Sequence, residues 1–520
     1  MGYAGETYLI LCDKGGLVGN LNIDKIPANQ MVYARNININ QGGRSKRGGT
    51  SLLYPNTSFG SVQVMSLFNF INPKLNNFML VATSDGKVYK DNSNVIASGL
   101  ALNRYVDFEY MLGDVYFCNG SDIPYYWDGV AANVTQLSNT PVDWASGNGP
   151  SQLIAHGYGT SKRLWAFGSS TNPSNVYVSA NGNGQDFSAA NLLLFTIDTG
   201  DGFGITGGFE WGGRLFAMGK TKPFFFDDSD PNTANWGYER AQWNGGLAHS
   251  RLIVKTPNDV ILMSDDGEIY SVMTALEYGD YKAASITRPA FMNNWIKANV
   301  DLTQISKFHM AYDPILRAIK VFVVRQGMLE VDTALVFFID LDPQEAWVVH
   351  DCQGYDAGYT ASCSALGMPV SGKYILYTGD YSGNIWELEV LTNKSDNGKG
   401  YYAGWKTPNF NCDNPRIEKR FDNIWITCAP EGNYNLVINF WVDGVYLGQV
   451  LINLSGVGGQ LDSFILDNSI LGSVSFIDAM NQLGVVGKRC QLEVYNNNTG
   501  QDFFVSQILV DWTPLGAMSE

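Results

Sequence analysis

The feature that most constrains this chain is a recurring phrase: an apolar run, a tight polar turn and a closing aromatic residue. The first copy reads Phe78-Met79-Leu80-Val81, then Ser84-Asp85-Gly86, then Val88-Tyr89. The closing aromatics are Tyr89, Trp127, Tyr177, Phe225, Tyr270, Phe338 and Trp386, separated by 38, 50, 48, 45, 68 and 48 residues. A period of roughly 40–50 residues is typical of β-propellers. The repeat therefore predicts a propeller of six or seven blades over residues 51–395.

Composition agrees with an all-β protein. Glycine accounts for 56 of 520 residues, charged residues for only 16% and aromatic residues for 13%. Abundant turn formers and aromatics with few charges suit a chain built from short strands and tight turns. The best helix candidate, Ala290 to Ala298, is short.

Three regions are predicted along the chain. Residues 1–50 read as an extended N-terminal segment, and residues 392–400 are polar, rich in glycine and asparagine, and predicted to form a linker. Residues 396–520 contain strands of five to seven residues with a hairpin turn at Asp443-Gly444. This last region predicts an antiparallel β-sandwich.

No residue set indicates catalysis, a cofactor or a metal. The four histidines lie far apart, and nucleophile-elbow, Walker and dinucleotide motifs are absent. The glycine-rich stretch 200–208 is interpreted as a turn between blades, and the acidic cluster Asp227, Asp228 and Asp230 as a solvated turn rather than a calcium site. We therefore expect a protein that is not an enzyme.

The seven cysteines are widely spaced and odd in number, which favours free thiols and folding in a reducing cytoplasm. Cys412 and Cys428 are the one pair whose spacing a sandwich could bridge. We find neither a signal peptide nor an apolar run long enough for a membrane helix, and we expect no membrane insertion.

One dense basic group stands out in a chain of net charge −16: Arg44, Lys46 and Arg47. It is either a solvated loop or a contact with nucleic acid or with an acidic partner. These three residues are the candidate partner contact.

Three phrases resemble one protein family. They are Asn36-Ile37-Asn38 with 43–49 (Gly-Arg-Ser-Lys-Arg-Gly-Gly), Val176-Tyr177-Val178-Ser179 with Asp186-Phe187-Ser188, and Gly487 to Leu492 with Asp511 to Gly516. Each is similar to a segment of the tail hub or nozzle (tail tubular) proteins of short-tailed double-stranded DNA bacteriophages. The likeness spans the whole chain in layout, and each motif is short.

The resemblance implies a virion structural protein that is assembled in the host cytoplasm and located in the tail. It implies a homohexameric ring below the portal and adaptor proteins, with tail fibres or spikes attached nearby. The bore of such a ring continues the DNA channel and serves genome retention and ejection. The acidic balance fits passage of double-stranded DNA without tight binding, because binding strength comes from lysine and arginine.

The alternative is a receptor- or carbohydrate-binding propeller at a phage tail tip. Aromatic residues exposed on loops, such as Tyr125, Tyr126 and Trp127, would support it; packing of these residues between blades would not.

Overall fold

The computed structural model describes residues 5–19, 22–39, 42–73, 77–145, 147–243, 245–272, 284–351, 360–368, 374–455 and 477–515. Its architecture is all-β: a seven-bladed β-propeller and a β-sandwich. In chain order, the strands before the first complete blade are β1 (Glu6–Leu11), β2 (Tyr33–Arg35), β3 (Ile37–Asn38), β4 (Arg44–Lys46) and β5 (Gly49–Tyr54).

Six blades are antiparallel sheets of four consecutive strands. Blade 1 contains β6 (Val64–Ile71), β7 (Asn77–Thr83), β8 (Lys87–Lys90) and β9 (Asn94–Ala97). Blade 2 contains β10 (Asp107–Met111), β11 (Asp114–Cys118), β12 (Tyr125–Trp127) and β13 (Thr135–Gln136). Blade 3 contains β14 (Gln152–His156), β15 (Arg163–Phe167), β16 (Asn175–Val178) and β17 (Leu193–Thr196).

Blades 4 to 6 repeat the pattern. Blade 4 contains β18 (Ile205–Trp211), β19 (Arg214–Gly219), β20 (Pro223–Asp227) and β21 (Gly237–Arg240). Blade 5 contains β22 (Ile253–Lys255), β23 (Val260–Met263), β24 (Ile269–Ser271) and β25 (Ala284–Ser285). Blade 6 contains β26 (His309–Asp313), β27 (Ala318–Val323), β28 (Thr333–Phe338) and β29 (Trp347–Asp351).

Blade 7 is completed by a strand from the other end of the chain. Its own strands are β30 (Cys363–Gly367), β31 (Ile375–Gly379) and β32 (Ile385–Val390), and β5 pairs with β32 as the fourth. This pairing closes the propeller with its N-terminal strand.

Helices are few among the described residues. The α-helix α1 (Met292–Asn299) lies where the sequence predicts one. Short 3₁₀ turns are Ile23–Lys25, Asn56–Phe59, Val142–Trp144, Gly159–Ser161, Thr233–Asn235, Ser250–Leu252 and Leu302–Lys307.

The closing aromatics of the repeat mark the same place in every blade. All seven lie on the third strand of their blade, namely β8, β12, β16, β20, β24, β28 and β32, and all but Phe225 are buried. Trp127 of blade 2, for example, contacts Phe70 of blade 1 with ring centroids 5.7 Å apart. The turn glycine of the phrase has its own cause: Gly86 has φ +74°, and a Cβ there would lie 2.3 Å from the Leu100 carbonyl oxygen.

The sandwich combines both ends of the chain. Its C-terminal strands are β33 (Ala403–Lys406), β34 (Glu418–Cys428), β35 (Asn435–Val442), β36 (Val445–Asn453), β37 (Ile477–Gly487), β38 (Cys490–Asn496) and β39 (Phe504–Leu515). One sheet has the order β3-β4-β39-β34-β37, with β1 also paired to β39, and the other has the order β2-β33-β38-β35-β36. Inward side chains such as Ile424, Ile438, Leu492 and Ile508 form its core.

The expected extended segment 1–50 is therefore not independent of the folded parts. Four of its strands belong to the sandwich and a fifth belongs to blade 7. It also covers the outer strand of blade 6, because the amides of Leu17 and Asn36 donate to the carbonyls of Trp347 and Val349.

The predicted linker is likewise part of the packed structure. Within 392–400, Ser395 and Asp396 are buried, and the Thr50 amide donates to the Ser395 carbonyl at 3.1 Å. The polar side chains of Ser395 and Asp396 are therefore enclosed by the protein, whereas Thr392 and residues 397–399 are exposed.

Candidate interaction surfaces and the buried basic junction

The basic group predicted as a partner contact is buried inside the chain. The exposed fractions of Arg44, Lys46 and Arg47 are 0%, 1% and 0%. Their side chains occupy the junction between the propeller and the sandwich, so they present no surface to a partner. The prediction fails because the three cations have internal partners from distant segments, which a solvated charge run would lack.

Arg47 has the most complete set of these internal contacts. Its guanidinium forms two parallel hydrogen bonds with the Asp396 carboxylate, one of them 3.0 Å long from Nη1 to Oδ1. Its Nε donates to the Asn36 Oδ1 at 2.9 Å, and its Cζ lies 4.0 Å from the centroid of the Tyr401 ring. A two-pronged arginine–carboxylate pair with this geometry fixes the relative position of its two segments.

Lys46 and Arg44 are buried without a carboxylate partner among the described residues. The Lys46 Nζ donates to the Asn498 carbonyl at 3.0 Å and lies 4.5 Å from the Tyr401 ring centroid. Burial, together with the neighbouring Arg47 charge, lowers the pKa of Lys46 to about 7. Arg44 donates to the Asn29 carbonyl and lies 5.2 Å from the Trp405 ring centroid, and burial lowers its pKa as well.

A second buried ionic cluster joins blades 6 and 7 beside this junction. The Lys320 Nζ lies 2.6 Å from Glu389 Oε1, and the His350 Nδ1 lies 3.3 Å from the same oxygen. The other Glu389 oxygen accepts the Gly48 amide at 2.9 Å. Burial alone would raise the pKa of Glu389, but the charge of Lys320 together with the neighbouring His350 and Arg47 outweighs it and holds that pKa well below its usual range. Glu389 has φ 54°, a backbone strain that its internal partners offset.

The aromatics that would have supported a receptor-binding propeller are packed between strands and blades. Trp127 is buried, Tyr125 stacks on Phe117 with centroids 5.4 Å apart, and Tyr126 stacks on Tyr116 at 6.1 Å. They do not form an exposed aromatic platform.

An exposed apolar row crosses the outer face of one sandwich sheet. Leu9 of β1 lies directly opposite Leu509 of β39, which lies opposite Trp425 of β34, which lies opposite Met480 of β37. Leu9 and Met480 are 47% and 50% exposed, and we call these four residues the apolar row. The adjacent row is polar and consists of Thr7, Asp511, Asn423 and Gln482. An apolar centre with a polar border is the composition of a protein interface.

A second exposed apolar surface lies on the other sheet. Strand β36, with the sequence VYLGQVLIN, ends the sheet order among the described strands and carries no charge and no proline. Val445, Tyr446, Leu447 and Leu451 are each between 45% and 59% exposed. Such an edge strand lacks the charges and prolines that usually prevent edge-to-edge pairing.

The sequence reading missed both surfaces because each is defined by register between distant segments. The four members of the apolar row come from separate strands, and only their pairing brings them into line. The sequence did contain one signal of the second surface. A half-buried strand alternates apolar and polar residues, whereas Val445–Asn453 carries apolar residues on both faces.

The remaining candidate groups have structural roles. Asp228 lies 3.0 Å from His156 Nε2, an ion pair that joins blades 3 and 4. Cys412, Cys428 and the four other described cysteines are buried and are not joined by disulfide bonds, whereas Cys352 lies outside the described residues, as does Gly516 of the C-terminal phrase. In the described part of the chain no group of three potential metal ligands is found, and no helix there is long and apolar enough to cross a membrane.

These features define the chain as a β-propeller protein that carries a sandwich built from both chain ends. No protein-family model matches the sequence, and no curated protein matches it. Among solved structures, it is similar to BBS1N in complex with ARL6DN, with 10% identity, a TM-score of 0.41 and coverage of 66% of this chain and 97% of that one. It is also similar to YCF48 from Cyanidioschyzon merolae, with 10% identity, a TM-score of 0.37 and coverage of 63% and 96%. Similarity at this level carries no information about function.

Proposed function

We propose that this chain is a virion structural protein: a ring-forming tail hub or nozzle subunit of a short-tailed double-stranded DNA bacteriophage. The observation that carries the proposal is the role of the family-like N-terminal phrase. Asn36 and Arg47 of this phrase join blade 6, the 392–400 segment and the sandwich through side-chain hydrogen bonds. The phrase thus helps to hold together the propeller and the sandwich, and this two-part layout is the one that the resemblance implies.

The two exposed apolar surfaces support assembly into a ring. A head-to-tail ring needs two different surfaces on each subunit, whereas a two-fold dimer needs only one that is self-complementary. The apolar row and strand β36 lie on different sheets of the sandwich and have different shapes, one a face and the other an edge. We propose that each subunit contacts the next through these two surfaces.

In this proposal DNA passes through the bore of the ring rather than through the propeller. The cavity at the propeller axis has a volume of about 750 Å³, too small for a duplex whose major groove alone is about 12 Å wide. The net charge of −16 gives the bore a field that disfavours phosphate binding. Portal, adaptor and fibre proteins are the proposed neighbours.

Native mass spectrometry and electron microscopy of the purified protein test the ring. We expect closed rings at high protein concentration, and we expect Leu9→Glu or Leu447→Glu to shift the population to monomers. Leu102→Glu, a substitution at a residue of the propeller that is 63% exposed, is the matched control and should leave the rings intact. A protein that stays monomeric at every concentration, or rings that are indifferent to both sandwich substitutions, contradicts the proposal.

A filter-retention assay tests the DNA role separately. We expect no appreciable retention of duplex DNA by the free protein, even at low salt where electrostatic affinity is strongest. Tight retention that weakens steeply with salt would favour a DNA-gripping protein over a conduit.

A further inference from the structure

The mouth of the propeller axis contains a cavity that the ring proposal does not use. Its volume is about 750 Å³, within the range of small-molecule sites. Residues near the start of the innermost strand of every blade line it, including Leu67, Asp107, Ser151, Thr206 and Cys363.

Two arginines line this cavity in a strongly acidic protein. Arg104 is exposed at its rim, and Arg251 lies in the short turn before β22. Among the described residues no carboxylate lies within ion-pair distance of either one. A partly buried cation without a counter-ion is energetically costly, so an anion that binds beside Arg251 would be stabilising.

Arg251 is held in a fixed position. Its Nη2 donates to the carbonyls of Lys307 at 3.1 Å and Ser362 at 3.2 Å, and its Cζ lies 3.4 Å from the Tyr105 ring centroid. The buried Nη1 has no hydrogen-bond partner. A guanidinium that is already immobilised loses little conformational entropy when an anion binds.

The neighbouring imidazoles leave the charge of Arg251 as the dominant one. His249 Nε2 donates to the Ile305 carbonyl at 2.8 Å, and burial with the Arg251 charge lowers the pKa of His249 to about 4. His309 is buried, and the same two causes lower its pKa well below the usual value. Both rings are therefore neutral near pH 7.

The carboxyl group in the cavity wall is poorly suited to neutralise Arg251. Asp107 belongs to blade 2, whereas Arg251 precedes the first strand of blade 5, and the Asp107 Oδ2 accepts the Leu153 amide at 2.8 Å. Burial raises the pKa of Asp107 to about 7, so a fraction of this group is protonated at neutral pH.

Part of the cavity wall is apolar. Leu67, Phe108 and Met310 are almost fully buried side chains that line it, and Phe68 stacks on Phe108 with centroids 5.6 Å apart. A wall of this kind favours a ligand with an organic body rather than a bare inorganic ion.

We propose that the cavity at the propeller mouth binds a small organic carboxylate, whose anionic group pairs with Arg251 and whose apolar body contacts Leu67, Phe108 and Met310. The inference does not depend on the ring. It predicts that charge and apolar surface in the ligand are both required.

Isothermal titration calorimetry with benzoate on the full-length protein tests this site. Benzamide keeps the ring and removes the charge, and inorganic phosphate keeps a charge and removes the ring. We expect saturable benzoate binding, at least tenfold weaker binding of both comparison compounds, and a loss of at least tenfold in affinity with Arg251→Met.

Three further variants keep the test decisive. Arg240→Met changes an exposed arginine on the outer strand of blade 4 and should leave benzoate affinity unchanged. Asp107→Asn retains an acceptor for the Leu153 amide, removes the competing negative charge and should tighten benzoate binding. Arg251→Lys keeps the positive charge and should still bind benzoate measurably; it replaces Arg251→Met in the test if that variant misfolds. Absence of benzoate binding, benzoate affinity unchanged by Arg251→Met, or equal affinity for benzamide or phosphate overturns the proposal.

Discussion

Arg47 and Lys46 are adjacent buried cations whose removal is expected to have very different effects. Arg47 is paired with the Asp396 carboxylate through two hydrogen bonds, whereas Lys46 donates only to neutral oxygens of Asn496 and Asn498. We therefore compare Arg47→Met with Lys46→Met, two substitutions of similar size at neighbouring positions.

The magnitudes follow from what each substitution leaves behind. Arg47→Met leaves the Asp396 carboxylate buried without its counter-ion, and breaking such a pair costs about 3–5 kcal/mol. Lys46→Met removes a cation whose burial is itself unfavourable, in exchange for two neutral hydrogen bonds worth about 1 kcal/mol each. We expect Lys46→Met to change the free energy of local opening of the junction by no more than about 1 kcal/mol.

Hydrogen exchange followed by mass spectrometry measures this difference at the junction itself. The reporters are the amides of Thr50 and Asp396, which donate to the carbonyls of Ser395 and Lys399. Because each 1.4 kcal/mol corresponds to a factor of ten, Arg47→Met should speed their exchange by at least about a hundredfold. Acceleration below tenfold for Arg47→Met, or equal acceleration for Lys46→Met, would refute the reasoning.

Three other predictions concern Lys46, the shared sandwich and His156. The unfolded chain binds the Lys46 proton up to pH 10.5 and the folded chain only to about pH 7, so wild-type stability relative to Lys46→Met should rise across this interval in a pH series of thermal unfolding. Circular dichroism should show that an isolated fragment of residues 396–520 is unfolded and that it folds when residues 1–50 are co-expressed. A well-folded isolated fragment would contradict the shared sandwich. Burial alone would lower the pKa of His156, but the neighbouring carboxylates of Asp228 and Glu210 raise it to about 9. The stability lost in His156→Gln should therefore be greatest below pH 6.5 and disappear as pH rises through 9.

The repeat could be predicted from the sequence because every blade needs the same kinds of residue at the same positions. Closing aromatics such as Tyr89 and Trp386 lie on the third strand, where they pack in or between blades, and that need recurs at every unit. Local turn chemistry also identifies the hairpin at Asp443-Gly444, which joins β35 to β36. Signals of this kind depend only on neighbouring residues.

The basic group could not be placed in the same way. Its partners Asp396 and Tyr401 are about 350 positions away along the chain, and no local pattern distinguishes a cation that will be buried from one that stays in water. The predicted linker was misjudged for the same reason. Its composition predicts that Asp396 is solvated, and only the contact with the distant Arg47 explains why it is buried. Pairing between distant segments determines whether these charged residues are buried, and composition does not reveal that pairing.

The shared sandwich also sets an order of events during synthesis. Strands β1 to β4 leave the ribosome before the blades. Strand β33, which pairs with β2, and strand β39, which pairs with β1 and β4, are translated only after all seven blades. At about 5–20 residues per second, the wait lasts on the order of half a minute or longer. During that time Leu9, Ile10 and Leu11 lack the strand that pairs with them. We therefore expect strand β1 to need protection from aggregation until β39 has been translated.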